Sequence, residues 1–80
     1  MMNKQSLNDL HVLLEQTFPN TTIPDVIDEL KIGDFDEWDS LGNFNLLLAV
    51  EEFFEVRFSV EQMTEIKSIA DIKTALTNLK

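Results

Sequence analysis

The amino-acid sequence predicts an all-α protein, a small four-helix bundle with three main helices and one short helix. Apolar residues recur at helical spacing near both ends of the chain, and a Pro-free run rich in Leu, Ala, Glu and Phe fills its middle. Strand-like alternation is confined to 56–60, which has no partner for pairing. Because 80 residues leave room for one core, residues 1–80 are expected to form a single domain.

The first two helices are expected to flank a long connection. Apolar residues at helical spacing predict a first helix over about 3–17: Leu7, Leu10, Leu14 and Phe18. Pro19 and Pro24 break the helical pattern, and 24–38 is expected to be irregular, with one short helical turn near 25–30 and a bend at Gly33. Asp39 is a favourable N-cap for the second helix, predicted over 41–56.

The third and fourth helices each follow a serine. Ser59 and Gln62 have the spacing of a capping box, which predicts a short third helix. Ser68 is expected to cap the fourth helix. A single apolar stripe runs along that helix: Ile69, Ile72, Leu76 and Leu79.

The second helix has apolar residues on two sides. One side is wide enough to face the core and holds Leu46, Val50, Phe53 and Phe54, with Leu47 at its margin. The other side combines apolar and acidic residues: Leu41, Phe44, Leu48, Glu51, Glu52 and Glu55. Two arrangements fit this second side. Its apolar residues either pack under the 18–38 connection or form an exposed strip on which a partner docks, with the carboxylates steering the encounter.

The charge of the chain limits its partners. Fifteen acidic residues against six basic ones give a formal net charge of −9. Such a surface repels nucleic-acid phosphates and anionic lipid, and it favours partners with basic patches. The sequence has no cysteine and no apolar run long enough for a membrane span, so we expect a cytoplasmic protein without disulfides or thiolate metal sites.

The segment that carries chemical information is Glu37-Trp38-Asp39-Ser40-Leu41, where the connection meets the second helix. A serine in the first turn, directly after an acidic N-cap, is expected to expose its hydroxyl beside unpaired backbone amides. A phosphate ester there would face the positive end of the helix dipole. This segment, the run 46–54 and the later segments 56–59 and 66–72 together resemble the acyl carrier protein family.

The resemblance implies a fold of acyl-carrier type and a role for each residue of the motif. Ser40 would carry 4′-phosphopantetheine, attached by a phosphopantetheinyl transferase, and Asp39 would help position metal and cofactor during that reaction. The partner-facing residues would be Leu41, Phe44, Leu48, Glu51, Glu52 and Glu55. The protein would then be a monomer and not itself an enzyme. It would carry acyl or aminoacyl thioesters between loading and transferring enzymes that have basic docking patches.

Three positions depart from the family pattern. Trp38 stands where many members have glycine, and Gly42 and Asn45 stand at commonly acidic positions. These departures favour a carrier of a specialised biosynthetic pathway over a housekeeping fatty-acid carrier.

Parts of the sequence suggest three other functions, and two of them lack a feature that they require. A helical adaptor with the carrier fold would use the docking strip without a prosthetic arm. A hydrolase built on Ser40 would need a base, but the only histidine, His11, lies in the first helix and no Gly-x-Ser-x-Gly elbow is present. A calcium loop at Asp34, Asp36 and Asp39 fails the EF-hand spacing, so no metal site is expected.

Overall fold

Helix α1 spans Leu10–Thr17 in a computed structural model that describes residues 9–78. The predicted end at residue 17 is confirmed, because Phe18 leaves helical geometry immediately before Pro19. The predicted beginning near residue 3, together with Leu7, lies outside the described residues. The remaining apolar residues of the predicted stripe, Leu10, Leu14 and Phe18, are all buried.

The connection between α1 and the next helix is held by backbone hydrogen bonds to a distant segment. The stretch 25–30, where one short helical turn is expected, contains a single hydrogen-bonded turn but no helix: Leu30 N–H donates to the Ile27 carbonyl at 3.0 Å. After that turn, Ile32 N–H donates to the Lys67 carbonyl at 2.8 Å, and Ile69 N–H donates to the Leu30 carbonyl at 3.0 Å. Backbone groups at the end of the turn and just after it are therefore paired with the segment that leads into the last helix.

Helix α2 spans Ser40–Phe54 and begins at the predicted N-cap. Asp39 has extended backbone geometry, and its carboxylate accepts a hydrogen bond from Gly42 N–H at 2.8 Å. The helix ends two residues before the predicted end at 56, because Glu55 adopts the left-handed conformation with φ 58° and ψ 48°. That conformation reverses the chain direction in the way a C-terminal glycine usually does.

Helices α3, Val60–Glu65, and α4, Ile69–Asn78, complete the described fold. The predicted capping box is present: Gln62 N–H donates to Ser59 Oγ at 3.0 Å, and Ser59 N–H donates to Gln62 Oε1 at 2.8 Å. Ser68 Oγ likewise accepts from Asp71 N–H at 3.0 Å at the start of α4. The side-chain oxygens of two serines thus satisfy amides at both helix starts, as expected.

Residues from the connection and from α1, α2 and α4 form the centre of the core, and α1 packs against α2. The most enclosed side chains are Trp38, Phe18, Leu10, Leu14, Leu46, Leu47, Ile69, Ile72 and Val50. The described part of the chain is therefore a small all-α fold of four helices. Within residues 9–78, no helix has the length and apolar character needed to cross a membrane.

Candidate functional site at the start of helix α2

Ser40 is the first residue of α2 and is exposed to solvent. The preceding N-cap, Asp39, is exposed too, and its backbone carbonyl accepts from Asn43 N–H at 2.7 Å. Ser40 thus stands on a helix start that is closed by both the side chain and the backbone of Asp39. The predicted exposure of Ser40 and the predicted capping role of Asp39 are both confirmed. The expected unpaired amides are not all present, because Gly42 N–H already donates to the Asp39 carboxylate.

An aromatic cluster anchors the segment that leads into Ser40. The Trp38 side chain is fully buried, and its ring centroid lies 5.7 Å from that of Phe18 and 6.0 Å from that of Phe35. Phe18 and Phe35 meet edge to face at 6.3 Å. Since Phe18 follows α1, this cluster joins the end of the first helix to the start of the second. Ser40 therefore lies two residues after a side chain that is packed in the core.

Trp38 also takes part in a buried chain of hydrogen bonds. Its indole Nε1–H donates to Asn43 Oδ1 at 2.9 Å, and Asn43 Nδ2–H donates to the Ile66 carbonyl at 2.8 Å. Asn43 is only 6% exposed, and both the oxygen and the nitrogen of its carboxamide have a hydrogen-bond partner. The start of α2 is therefore connected to the end of α3 through one side chain.

Gly42 is buried where α2 passes close to the connection. A Cβ added at Gly42 would lie 2.1 Å from the Glu37 carbonyl oxygen and 3.1 Å from Phe18 Cε1. The Glu37 carboxylate is itself held, because it accepts a hydrogen bond from Thr21 Oγ1 at 2.7 Å. Gly42, which departs from the pattern of the acyl carrier proteins that the sequence resembles, is thus explained by the close packing of its backbone against the backbone of Glu37.

The apolar residues on the second side of α2 are exposed. Leu41 is 68% exposed, Phe44 47% and Leu48 43%, whereas Leu46 and Leu47 on the core side are fully buried. The alternative in which the first three pack under the 18–38 connection is therefore not the arrangement of this fold. We call Leu41, Phe44 and Leu48 the docking strip.

A groove lies next to the docking strip, between α2 and α3. Its volume is about 330 Å³, and its lining includes Ser40, Phe44, Val60, Met63 and Thr64. Val60 is 80% exposed, so the apolar surface of the docking strip continues across the groove onto α3. Ser40 therefore lines an apolar depression large enough for part of a small ligand.

The three predicted partner-facing carboxylates differ in their surroundings. Glu52 and Glu55 are exposed, as a docking role requires. Glu51 is half-buried, and its Oε2 accepts a hydrogen bond from Phe58 N–H at 2.7 Å. The structure therefore gives Glu51 a second task, which is to hold the segment that joins α2 to α3.

Asp34 and His11, two other ionisable groups considered in the sequence, contact groups away from Ser40. Asp34 accepts a hydrogen bond from the backbone N–H of Lys31, which lowers the pKa of that carboxyl below its usual value. His11 Nε2 lies 3.0 Å from the Pro24 carbonyl oxygen, and no hydrogen bond joins His11 to Ser40 in the described structure. Between residues 9 and 78, no three acidic or histidine side chains are grouped so that they could hold a metal ion.

Sequence reasoning identified Ser40, Asp39 and the docking strip but not the residues that support them. Asn43 interrupts an otherwise apolar pattern, and Gly42 occupies a helix position where glycine is unfavourable. Both oddities are signals of close packing or of a buried hydrogen bond. Their partners, Glu37 and Ile66, could not be deduced because they come from other elements.

Comparison with protein-family models, with curated proteins and with solved structures found no match to this chain.

Proposed function

We propose that this chain is an acyl carrier protein with a fold of acyl-carrier type, in which Ser40 bears 4′-phosphopantetheine. The observation that carries the proposal is the position of Ser40, exposed on a packed helix start and bordering an apolar groove. An attached phosphodiester would lie at the first turn of α2, where the helix dipole favours negative charge. The arm would supply a terminal thiol that holds acyl or aminoacyl groups as thioesters.

The surface around Ser40 fits a protein that meets several enzymes in turn. The docking strip offers apolar anchors directly beside the attachment residue, and Glu52 on α2 and Glu55 at its C-cap add negative charge. With a net charge of −9, the chain would be attracted to enzymes with basic docking patches, which raises association rates without requiring tight binding. These features support a carrier that meets its partner enzymes briefly and repeatedly. The proposal includes a monomeric state, a cytoplasmic location and a specialised biosynthetic pathway.

Co-expression with a promiscuous phosphopantetheinyl transferase, followed by intact mass measurement, tests the attachment. We expect one phosphopantetheine per chain on the wild type and none on Ser40→Ala. Ser59→Ala is the matched control, because Ser59 is also an exposed serine at a helix start but borders no such motif. An unmodified wild-type chain, or modification that persists in Ser40→Ala, would refute the proposal.

The second candidate is a helical adaptor that uses the docking strip without an arm. It is supported by the exposure of Leu41, Phe44 and Leu48, which does not depend on any modification of Ser40. The adaptor requires that Ser40→Ala bind partners as well as the wild type does. The carrier requires that transfer of cargo stop in this variant.

A further inference from the structure

Asn43 is a polar side chain enclosed by the apolar core. It is 6% exposed and lies on α2 close to the fully buried Leu46 and Leu47. Removing a carboxamide from water is unfavourable unless its donors and acceptors find partners. The site therefore demands a specific reason for asparagine where an apolar residue would pack without this requirement.

That reason lies in the three segments that the carboxamide joins. Asn43 Oδ1 accepts from Trp38 Nε1–H in the segment before Ser40, and Asn43 Nδ2–H donates to the carbonyl of Ile66. Ile66 is the C-cap of α3 and has extended geometry. Its carbonyl belongs to a helix end, where backbone acceptors lack intrahelical partners. One side chain thus satisfies an indole donor and a helix-end acceptor at once.

The same side chain lies behind the groove at Ser40. One wall of the groove belongs to the first turns of α2, with Ser40 and Phe44, and the other belongs to α3, with Val60 and Met63. Asn43 falls between Ser40 and Phe44 in sequence but points inward and bonds the end of α3. A hydrogen bond from Asn43 to the end of α3 therefore helps to place the two walls, in addition to the bond between Glu51 and Phe58 at the start of α3.

We propose that Asn43 is a positioning residue for the modification of Ser40, an inference that rests on the proposed carrier function. By joining Trp38, α2 and α3, it holds the Ser40 hydroxyl and the groove in the geometry that a phosphopantetheinyl transferase requires. Asn43 does not touch the reacting atoms. In the reaction, an O–P bond forms at Ser40 Oγ, the pyrophosphate P–O bond of coenzyme A breaks, the serine proton is lost, and adenosine 3′,5′-bisphosphate leaves.

Asn43→Asp is the informative variant because it changes hydrogen bonding with almost no change in shape. The ionised carboxylate still accepts from Trp38 Nε1–H but cannot donate to the Ile66 carbonyl. The protonated form regains a donor, and burial raises the pKa of a carboxyl group. The hydrogen bond to Ile66 should therefore be present below the pH at which the new carboxyl titrates and be lost above it. This midpoint is measured as a pH-dependent transition of the Trp38 indole signal that the wild type lacks. Asn78→Asp is the matched control, since Asn78 is exposed on α4, which carries no residue of the docking strip.

Two measurements on the wild type and both variants test the inference. The chain has one tryptophan, so its indole N–H gives a single NMR signal whose position and solvent exchange report the bond between Trp38 and Asn43. Steady-state kinetics of the transferase, with coenzyme A as donor, report kcat and KM for Ser40. Each variant is compared with the wild type at the same pH, which corrects for titration of other carboxylates.

Above that midpoint, we expect kcat for Asn43→Asp to fall by about tenfold or more, while KM changes by less than about twofold because the docking strip is intact. The indole signal should change position, and both effects should diminish below the midpoint. Asn78→Asp should match the wild type on both sides of it. Wild-type kcat and KM in a folded Asn43→Asp protein above the midpoint would overturn the inference.

Asn43→Leu provides a second route if the carboxylate prevents folding or if the new carboxyl stays protonated throughout the accessible pH range. Leucine fills a similar volume and leaves Trp38 Nε1–H and the Ile66 carbonyl unpaired at every pH, so kcat should be low at every pH. If neither variant folds at any pH, Asn43 acts on stability alone and the inference fails. An unmodified wild-type chain would instead refute the carrier function itself, whatever the indole signal shows.

Discussion

Replacing Gly42 with alanine sets two effects of a single methyl group against each other. Alanine is favoured over glycine inside a helix by about 1 kcal/mol. The added Cβ, however, would lie 2.1 Å from the Glu37 carbonyl oxygen, far inside the 3.0 Å below which real Cβ contacts essentially never occur. Either α2 or the chain at Glu37 must move by about 1 Å to admit it.

The movement is costly because the methyl group would meet a backbone atom, the Glu37 carbonyl oxygen, and hydrogen bonds restrain the segment that contains Glu37. Thr21 Oγ1–H donates to the Glu37 carboxylate at 2.7 Å. Gly33 N–H donates at 2.8 Å to the carbonyl of Trp38, the residue that follows Glu37. Overpacking of this kind costs about 1–3 kcal/mol, and a rigid neighbour places Gly42→Ala at the upper end. After the helix-propensity gain is subtracted, we expect a net loss of about 2 kcal/mol, or about 10 °C in Tm.

Urea denaturation and thermal unfolding of the wild type and Gly42→Ala measure this loss directly. The pair Asn45→Gly and Asn45→Ala supplies the control, because Asn45 is exposed on the same helix and reports helix propensity without close packing. We expect alanine to be the more stable of that pair. If Gly42→Ala stabilises the protein by about as much as alanine is favoured over glycine at position 45, the contact with Glu37 does not restrict Gly42 and the explanation for this glycine is wrong.

Three further predictions follow from the surfaces of α2. Phe44→Ala should change the free energy of unfolding by less than about 1 kcal/mol, because the side chain is 47% exposed, yet slow transfer to partner enzymes; loss of helicity in circular dichroism would instead place Phe44 in the core. Val50→Asp should unfold the domain, since an unpaired charge at a fully buried position costs several kcal/mol, and a folded, thermally stable variant would show that the helix faces are assigned wrongly. Glu51→Ala should lose about 1 kcal/mol in urea denaturation through the hydrogen bond to Phe58 N–H, whereas Glu52→Ala should stay within about 0.5 kcal/mol; equal effects of the two substitutions would contradict the structural role of Glu51.

The helices could be predicted because their signals are local. Ser59 and Gln62 form the capping box that their spacing indicates, and Asp39 caps α2. A turn does form within 25–30, but the connection after it is anchored by a tertiary interaction: Ile32 N–H donates to the carbonyl of Lys67. No pattern within the connection itself could have revealed that partner.

The features of the candidate site that depend on local sequence could likewise be predicted, and those that depend on long-range contacts could not. The exposure of Ser40 could be predicted from the capping residue before it. Helical periodicity placed Leu41, Phe44 and Leu48 together on a second side of α2, but it could not decide whether the connection covers them. Periodicity ranked the core less well: Leu47, placed at the margin of the stripe, is fully buried, whereas Phe53 and Phe54 are only half-buried. The hydrogen bond from Asn43 to Ile66 spans 23 residues, and its existence depends on how α3 packs against α2.

The long connection between α1 and α2 has a consequence for engineering this protein. Because Phe18, Ile23, Ile27 and Trp38 on this stretch are all buried, it fills space in the core as a helix would. Halving the length of a flexible loop recovers only about 0.6 kcal/mol of closure entropy, whereas each large apolar side chain removed from the core forfeits about 1.5–3 kcal/mol. Trimming the stretch to a short turn would therefore weaken the domain, and grafting a foreign segment there would require equivalent anchors at those four positions.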